Sequence, residues 1–223
     1  GCLQGARALL YEHLTVAREA LGENFEGLGG DVLRRLRSDL FIPVDTEAVD
    51  PATRALLTGW ANEYGLDAIA STDGDSDRPM LTDEVGRVIP GDILGQITAR
   101  FLGADQVVTP VSSNTGVLQM GFAQVRLTRI GSPHVIAGME ALGGKVLGYE
   151  ANGGTLLGFA AQGPAGSLDP LPTRDSFLPI LAVLAAAGDR PLSALVADQP
   201  ARFTAAGRLQ DMEDAAMRAF VAG

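Results

Sequence analysis

Short β-branched and apolar runs alternate along this chain with helix-patterned stretches, and the alternation occurs twice in the same order. Ala6–Tyr11, Asp67–Ser71, Gln106–Val111, Ala123–Thr128, Val146–Tyr149 and Thr155–Ala160 have strand character. Between them lie helical segments opened by recognisable caps. Asp50 precedes Pro51, a favoured first helical position, and the apolar face that follows carries Ala55, Leu56, Gly59, Trp60 and Tyr64. Gly91–Phe101 is a second helix, Arg129-Ile130-Gly131-Ser132-Pro133 opens a third that ends at Gly143-Gly144, and Asp175 caps a fourth over Phe177–Ala187, with Pro191–Ala197 after it. Strands alternating with helices specify α/β layers. Each half runs strand, polar turn, helix, strand, and later a strand that ends in an acidic loop. The expected fold is therefore two tandem three-layer α/β/α domains with mixed sheets, related by duplication, with residues 1–103 in one and 104–223 in the other.

Several local expectations accompany this plan. Thr15 caps a helix running to about Leu21, which Gly22 ends. Phe25–Leu28 is a weak strand, and Asp31–Pro43 is mixed, with Arg34, Arg35 and Arg37 on a solvated face. Met80–Thr82 and Arg87–Ile89 flank a turn as a hairpin. Ser112-Ser113-Asn114 turns into a helix reaching Gly121, with Ser113 as a turn or cap residue. Gln162–Thr173, with three prolines, is a loop, and Pro200–Arg208 is an exiting strand or linker. Asp211–Val221 has helical character. The opening Gly1-Cys2 and this late helix suggest a piece of something longer.

Composition narrows the function classes. The chain has 223 residues and a formal net charge of −10, and it shows no basic patch, so a nucleic-acid partner is not expected. Cys2 is the sole cysteine, which points to a reducing, cytoplasmic setting. Two histidines, His13 and His134, far apart, do not suggest a Cys/His zinc site. No apolar run approaches the roughly 20 residues that span a bilayer, so no membrane partner is expected. Lys145 is the one lysine, and nothing near it supports a Schiff base.

The chemistry concentrates in Ser71-Thr72-Asp73-Gly74-Asp75-Ser76-Asp77-Arg78-Pro79. Three carboxylates alternate with small residues just beyond a strand, and Gly74 lets the chain fold back. Three like charges so close repel unless a cation sits among them, and hard oxygen ligands select Mg²⁺, Ca²⁺ or Mn²⁺. An EF-hand would use Asp73, Asp75, Asp77 and Glu84, but Arg78 stands where that loop needs glycine, and the incoming element is a strand. A phosphatase of the haloacid-dehalogenase type also places D-x-D after a strand, with the first Asp as nucleophile, yet it leaves Asp77 and Arg78 unexplained.

The loop D-G-D-S-D-R at 73–78 resembles the metal-binding loop of the α-D-phosphohexomutases, D-G-D-x-D-R. Gly148-Tyr149-Glu150-Ala151-Asn152-Gly153-Gly154 resembles that family's sugar-recognition loop, G-E-x-S-G. Thr128-Arg129-Ile130-Gly131 and Thr173-Arg174-Asp175 match segments before two of its helices. The resemblance covers nearly the whole chain and is closest to bacterial phosphomannomutases. It implies the second and third of four domains, with the phosphoserine domain and the phosphate-binding fourth domain absent from this sequence. It implies Mg²⁺ on Asp73, Asp75 and Asp77, and Arg78 as a catalytic residue steadying the phosphate or a neighbouring carboxylate. It implies Glu150, Asn152 and Arg129 on a hexose phosphate, either mannose or glucose phosphate, with Glu150 accepting from two sugar hydroxyls. Two residues depart from the pattern. Asn152 replaces the usual Ser, and Gly154 stands where several family members have a His. His134 either lies near the substrate or is a buried, satisfied histidine.

Overall fold

The computed structural model describes residues 1–39, 45–163, 166–207 and 213–222. It contains two main sheets and a small ribbon. The first sheet has the order β2-β1-β3-β4, formed by β1 (Arg7–Tyr11), β2 (Asp31–Arg35), β3 (Ala68–Thr72) and β4 (Pro79–Leu81). The second has the order β11-β8-β7-β5-β6, formed by β5 (Gln106–Pro110), β6 (Gln124–Thr128), β7 (Val146–Tyr149), β8 (Thr155–Leu157) and β11 (Leu171–Asp175). A ribbon of β9 (Ala161–Gly163) and β10 (Gly166–Leu168) stands apart.

The two sheets share one topology. In each, the first strand lies between the second and third with parallel pairing, and the fourth runs antiparallel beside the third. β1, β2, β3 and β4 thus correspond to β5, β6, β7 and β8. The acidic loop joins β3 to β4, and the Glu150 loop joins β7 to β8, so the two loops occupy equivalent places in the duplicated plan.

Strand alternation sends side chains to opposite faces. Ala8 and Leu10 face a core completed by α1 (Arg18–Gly27), α3 (Gly91–Phe101) and α5 (Phe177–Ala187). Leu9, Tyr11 and Ile69 face Leu57, Trp60 and Ala61 of α2 (Pro51–Tyr64). In the second sheet, Val107, Leu147 and Tyr149 pack with Ala99 and Leu102 of α3 and its C-terminal end, while Val108 and Val146 meet Val135 and Met139 of α4 (Ser132–Leu142). Both sheets are therefore covered on two sides, and α3 contributes to a core on each. α3 and α5 pack on one another, and α6 (Leu192–Ala197) extends the first core through Leu192. Gly95 makes the close approach of α3 to the second sheet possible, since a Cβ there would lie 2.3 Å from Cγ of Tyr149.

Most element positions follow the expectation, including the Asp50 cap, whose carboxylate accepts from the backbone N–H of Ala52 and Thr53. Others differ for identifiable reasons. Thr15 does not cap a helix, because its hydroxyl is engaged with those of Thr72, at 2.7 Å, and Ser76. α1 starts at Arg18 and runs through Gly22 and Phe25. Gly22 admits the Arg34 guanidinium, which a Cβ would approach to 2.2 Å, so this glycine serves packing instead of termination. The second strand is Asp31–Arg35, not Phe25–Leu28. Its Arg34 pairs with Glu12, Glu19 and Glu26, and Arg37 pairs with Glu12 and Glu19, so the arginines form an ion-pair cluster over buried Glu12 and not a free solvated face.

After β5 the chain makes a 3-10 turn, Thr115–Gln119, capped by Asn114, in place of an α-helix. The proline-bearing segment after Gln162 carries β10 and β11, with Pro172 on an edge strand, where a missing N–H is tolerated. The described part of 200–208 forms neither strand nor helix, and α7 spans Asp214–Ala222. Residues 40–43, 164–165, 208 and 211–212, covered by four of the expectations, lie outside the described residues. Among the described residues, no helix is long and apolar enough to cross a membrane.

Candidate functional site

The acidic loop starts where β3 loses its pairing partner. Its backbone closes through Asp73 N–H to the Arg78 carbonyl at 3.1 Å and Ser76 N–H to the Asp73 carbonyl at 3.2 Å. Arg78 N–H donates to Asp73 Oδ1 at 3.1 Å. Ser76 takes a left-handed φ of 64°, and the Ser176 hydroxyl donates to its carbonyl at 2.7 Å. The start of α5 therefore holds the loop from outside.

This geometry brings one carboxylate oxygen from each of Asp73, Asp75 and Asp77 within 4.8 Å of one another. Asp73 is buried, Asp75 exposed, and Asp77 lies between. Burial, followed by the charges of Asp75 and Asp77, pushes the Asp73 carboxyl up to about 6. Arg78 Nε lies 3.6 Å from Asp73 Oδ2 and 3.7 Å from Asp77 Oδ1, ion pairs too long for hydrogen bonds. Asp77 Oδ1 and Arg78 Nε are both buried without a hydrogen-bond partner. The three carboxylates can hold a metal ion: their oxygens converge, their mutual repulsion is only partly neutralised, and one buried oxygen lacks a partner.

The second loop approaches from the equivalent strand end. Glu150 is buried, and its Oε2 accepts from the Ser132 hydroxyl at 2.7 Å, at the start of α4. Asn152 Oδ1 accepts from Gly154 N–H at 3.0 Å, which shapes the turn. The loop packs directly on the acidic half of the molecule. A Cβ on Gly91 would lie 2.3 Å from Gly153 N, and one on Gly153, whose φ is +92°, would lie 2.7 Å from Cγ of Pro79.

Arg174 joins the two loops. Its guanidinium pairs with Asp77 through Nη2 and lies 3.7 Å from Glu150 Oε2 through Nη1. Sequence reasoning noted Thr173-Arg174-Asp175 only as a segment before a helix. No local signal marks Arg174 as a site residue, because its two partners stand far away in sequence.

The structure thus brings Asp73, Asp75, Asp77, Arg78 and Glu150 to one region, with Asn152 in the wall of the Glu150 loop. Arg129 is exposed at the end of β6 and forms no ion pair among the described residues. His134 is exposed on the first turn of α4, so it is not a buried, satisfied histidine. Ser113 is buried and accepts from the Thr109 hydroxyl at 2.7 Å.

The chain is 46% identical over 215 residues to the phosphomannomutase of Sinorhizobium fredii, a match covering 94% of this chain and 45% of that protein. The chain is a homologue of the bacterial phosphomannomutases. It is also 44% identical over 224 residues to the phosphomannomutase of Salmonella muenchen, again over 94% of this chain and 45% of the relative. The chain therefore spans about half the length of the curated relatives it matches. Its fold is that of a phosphoglucomutase/phosphomannomutase family protein from Burkholderia thailandensis, with a TM-score of 0.69 and 17% identity over 87% of this chain and 43% of the other. No family model matches the chain.

Proposed function

We propose that this chain is the central portion of a Mg²⁺-dependent phosphohexomutase of the phosphomannomutase kind. Such an enzyme interconverts hexose 6-phosphate and hexose 1-phosphate through a phosphoserine, here supplied from elsewhere in a longer chain. In this reading the first unit, 1–103, carries the metal loop and the second, 104–223, carries the sugar loop. The setting is cytoplasmic. The observation that carries the reading is the convergence of the Asp73–Asp77 carboxylates and buried Glu150 at equivalent ends of two duplicated sheets.

Each residue has a role that its chemistry permits. Asp73, Asp75 and Asp77 would hold Mg²⁺, which prefers oxygen ligands at about 2.1 Å and keeps coordination positions for water and a phosphate oxygen. When bound, the ion supplies neutralisation of charge on the transferring phosphoryl group. Arg78, positioned over Asp73 and Asp77, steadies the phosphate or the carboxylates. Glu150 accepts from two sugar hydroxyls and so orients the hexose, its second oxygen fixed by Ser132. Asn152, in the Glu150 loop, and Arg129, exposed just after β6, complete the substrate contacts in this reading, Arg129 for the substrate's anionic group. Nucleic acid is not part of this reading.

Asp75→Asn tests the metal assignment. Calorimetric titration of Mg²⁺ should show affinity reduced by about tenfold or more, because one hard anionic ligand becomes neutral. Unchanged titration would remove the metal reading. The 223-residue chain alone should show no mutase turnover with mannose 1-phosphate, whereas a longer chain carrying a phosphorylatable serine should. A second reading, a metal and sugar-phosphate binding module without catalysis, predicts binding by the longer chain but no turnover.

A further inference from the structure

Arg174 is the one side chain among the described residues that forms ion pairs with both acidic loops. Its placement is built into the fold. β11 and β8 pair Leu171 with Leu157 and Asp175 with Thr155, so four steps on one strand oppose two on the other. The surplus residues form an irregularity, and such bulges re-aim side chains out of the ladder. The next residues lock the segment. Asp175 accepts from the N–H groups of Phe177 and Leu178 at 2.8 and 3.2 Å, and Ser176 donates to the acidic loop. On the opposite side Gly154 leaves room for the arginine stem, since a Cβ there would lie 2.9 Å from Cδ and 3.0 Å from Cγ of Arg174. The side chain is 29% exposed, so it is reachable from solvent.

We propose that Arg174 couples the cation site to the sugar-phosphate site: it neutralises Asp77 in the metal-free chain and, displaced by the cation, binds the anionic oxygens of the sugar phosphate beside Glu150. This rests on the function proposed above. A divalent cation on Asp77 and a guanidinium on the same carboxylate repel one another, so the two compete. A guanidinium has five donors in a fixed fork suited to phosphate, and its ion pairs here leave donors free. Removing the Asp77 contact releases more of them while the Glu150 pairing keeps the group in place. Metal and sugar phosphate then bind with positive, reciprocal coupling.

Calorimetric titrations of Mg²⁺ and of mannose 1-phosphate into the wild-type chain, Arg174→Gln and Arg174→Lys test this. Arg174→Gln should bind Mg²⁺ about fivefold more tightly, as a competing half-buried ion pair is lost. It should bind mannose 1-phosphate in Mg²⁺ about tenfold more weakly, as charge-assisted bonds to phosphate are lost, and Mg²⁺ should no longer improve that binding. Arg174→Lys keeps the charge without the fork and should fall between the two. A purely structural arginine would move both affinities in the same direction or neither, and either result, with wild-type circular dichroism, overturns the inference. If the wild-type chain binds both ligands and the Arg174 variants do not separate them, only the coupling falls. If neither the wild-type chain nor a longer chain carrying the phosphorylatable serine binds either ligand, the proposed function falls and the coupling with it.

Discussion

Asp73 is the residue whose chemistry the fold changes most. Burial and two neighbouring carboxylates raise its folded-state pKa to about 6 from an ordinary value of 3.8. The folded chain therefore holds a proton there that the unfolded chain releases at lower pH. Without a divalent cation, the contribution of this carboxyl to stability falls as pH rises from about 4 through about 6, because at this group the unfolded state binds fewer protons over that window. Asp73→Asn removes the ionisation and keeps an oxygen to accept from Arg78 N–H. Thermal melts in chelator should show the variant gaining on the wild type as pH rises through 6 and matching it below about 4. A pH-independent difference between the two would show that Asp73 ionises without cost. The alternating carboxylates were legible from sequence because their convergence needs only one tight loop. The raised pKa was not, since it depends on what the rest of the chain packs over that loop.

At the scale of elements, contact between the two loops rests on residues without side chains. Gly91 opens α3 and faces the backbone of residues 151–153, with no space for a methyl group. Gly91→Ala should destabilise the chain by about 1–3 kcal/mol, the usual cost of overpacking, as measured by urea denaturation. It should also weaken mannose 1-phosphate binding, because the Glu150 loop must move. A stability loss below about 0.5 kcal/mol would mean that the loops are not in firm contact. Caps and propensity made α2, α3 and α5 readable from sequence. α1 was misplaced because Thr15 and Gly22 answer to distant partners, Thr72, Ser76 and Arg34, and a local reading treats a threonine as a cap and a glycine as a stop.

For the molecule as a whole, α3 is shared by the cores of both sheets, and α5 packs along it. Neither sheet can lose these helices without exposing apolar surface on the other. Calorimetry should accordingly show one cooperative unfolding transition, and Leu94→Ala, which removes a fully buried side chain of α3, should lower stability by about 2–5 kcal/mol without splitting that transition. Two separated transitions would show that the duplicated units unfold independently.

The sequence by itself determined the α/β class, the duplicated order of elements and the two loops at equivalent strand ends. Those features are written in local periodicity, caps and short motifs, where near neighbours in the chain supply the physics. Only the tertiary structure decided that the two loops lie against one another, that Arg174 stands between Asp77 and Glu150, that Arg129 stays at the exposed end of β6, and that Asp73 resists ionisation. Each of these depends on packing between residues remote in sequence: glycines that permit close approach, a bulge that redirects one strand, and burial that removes water from a carboxylate.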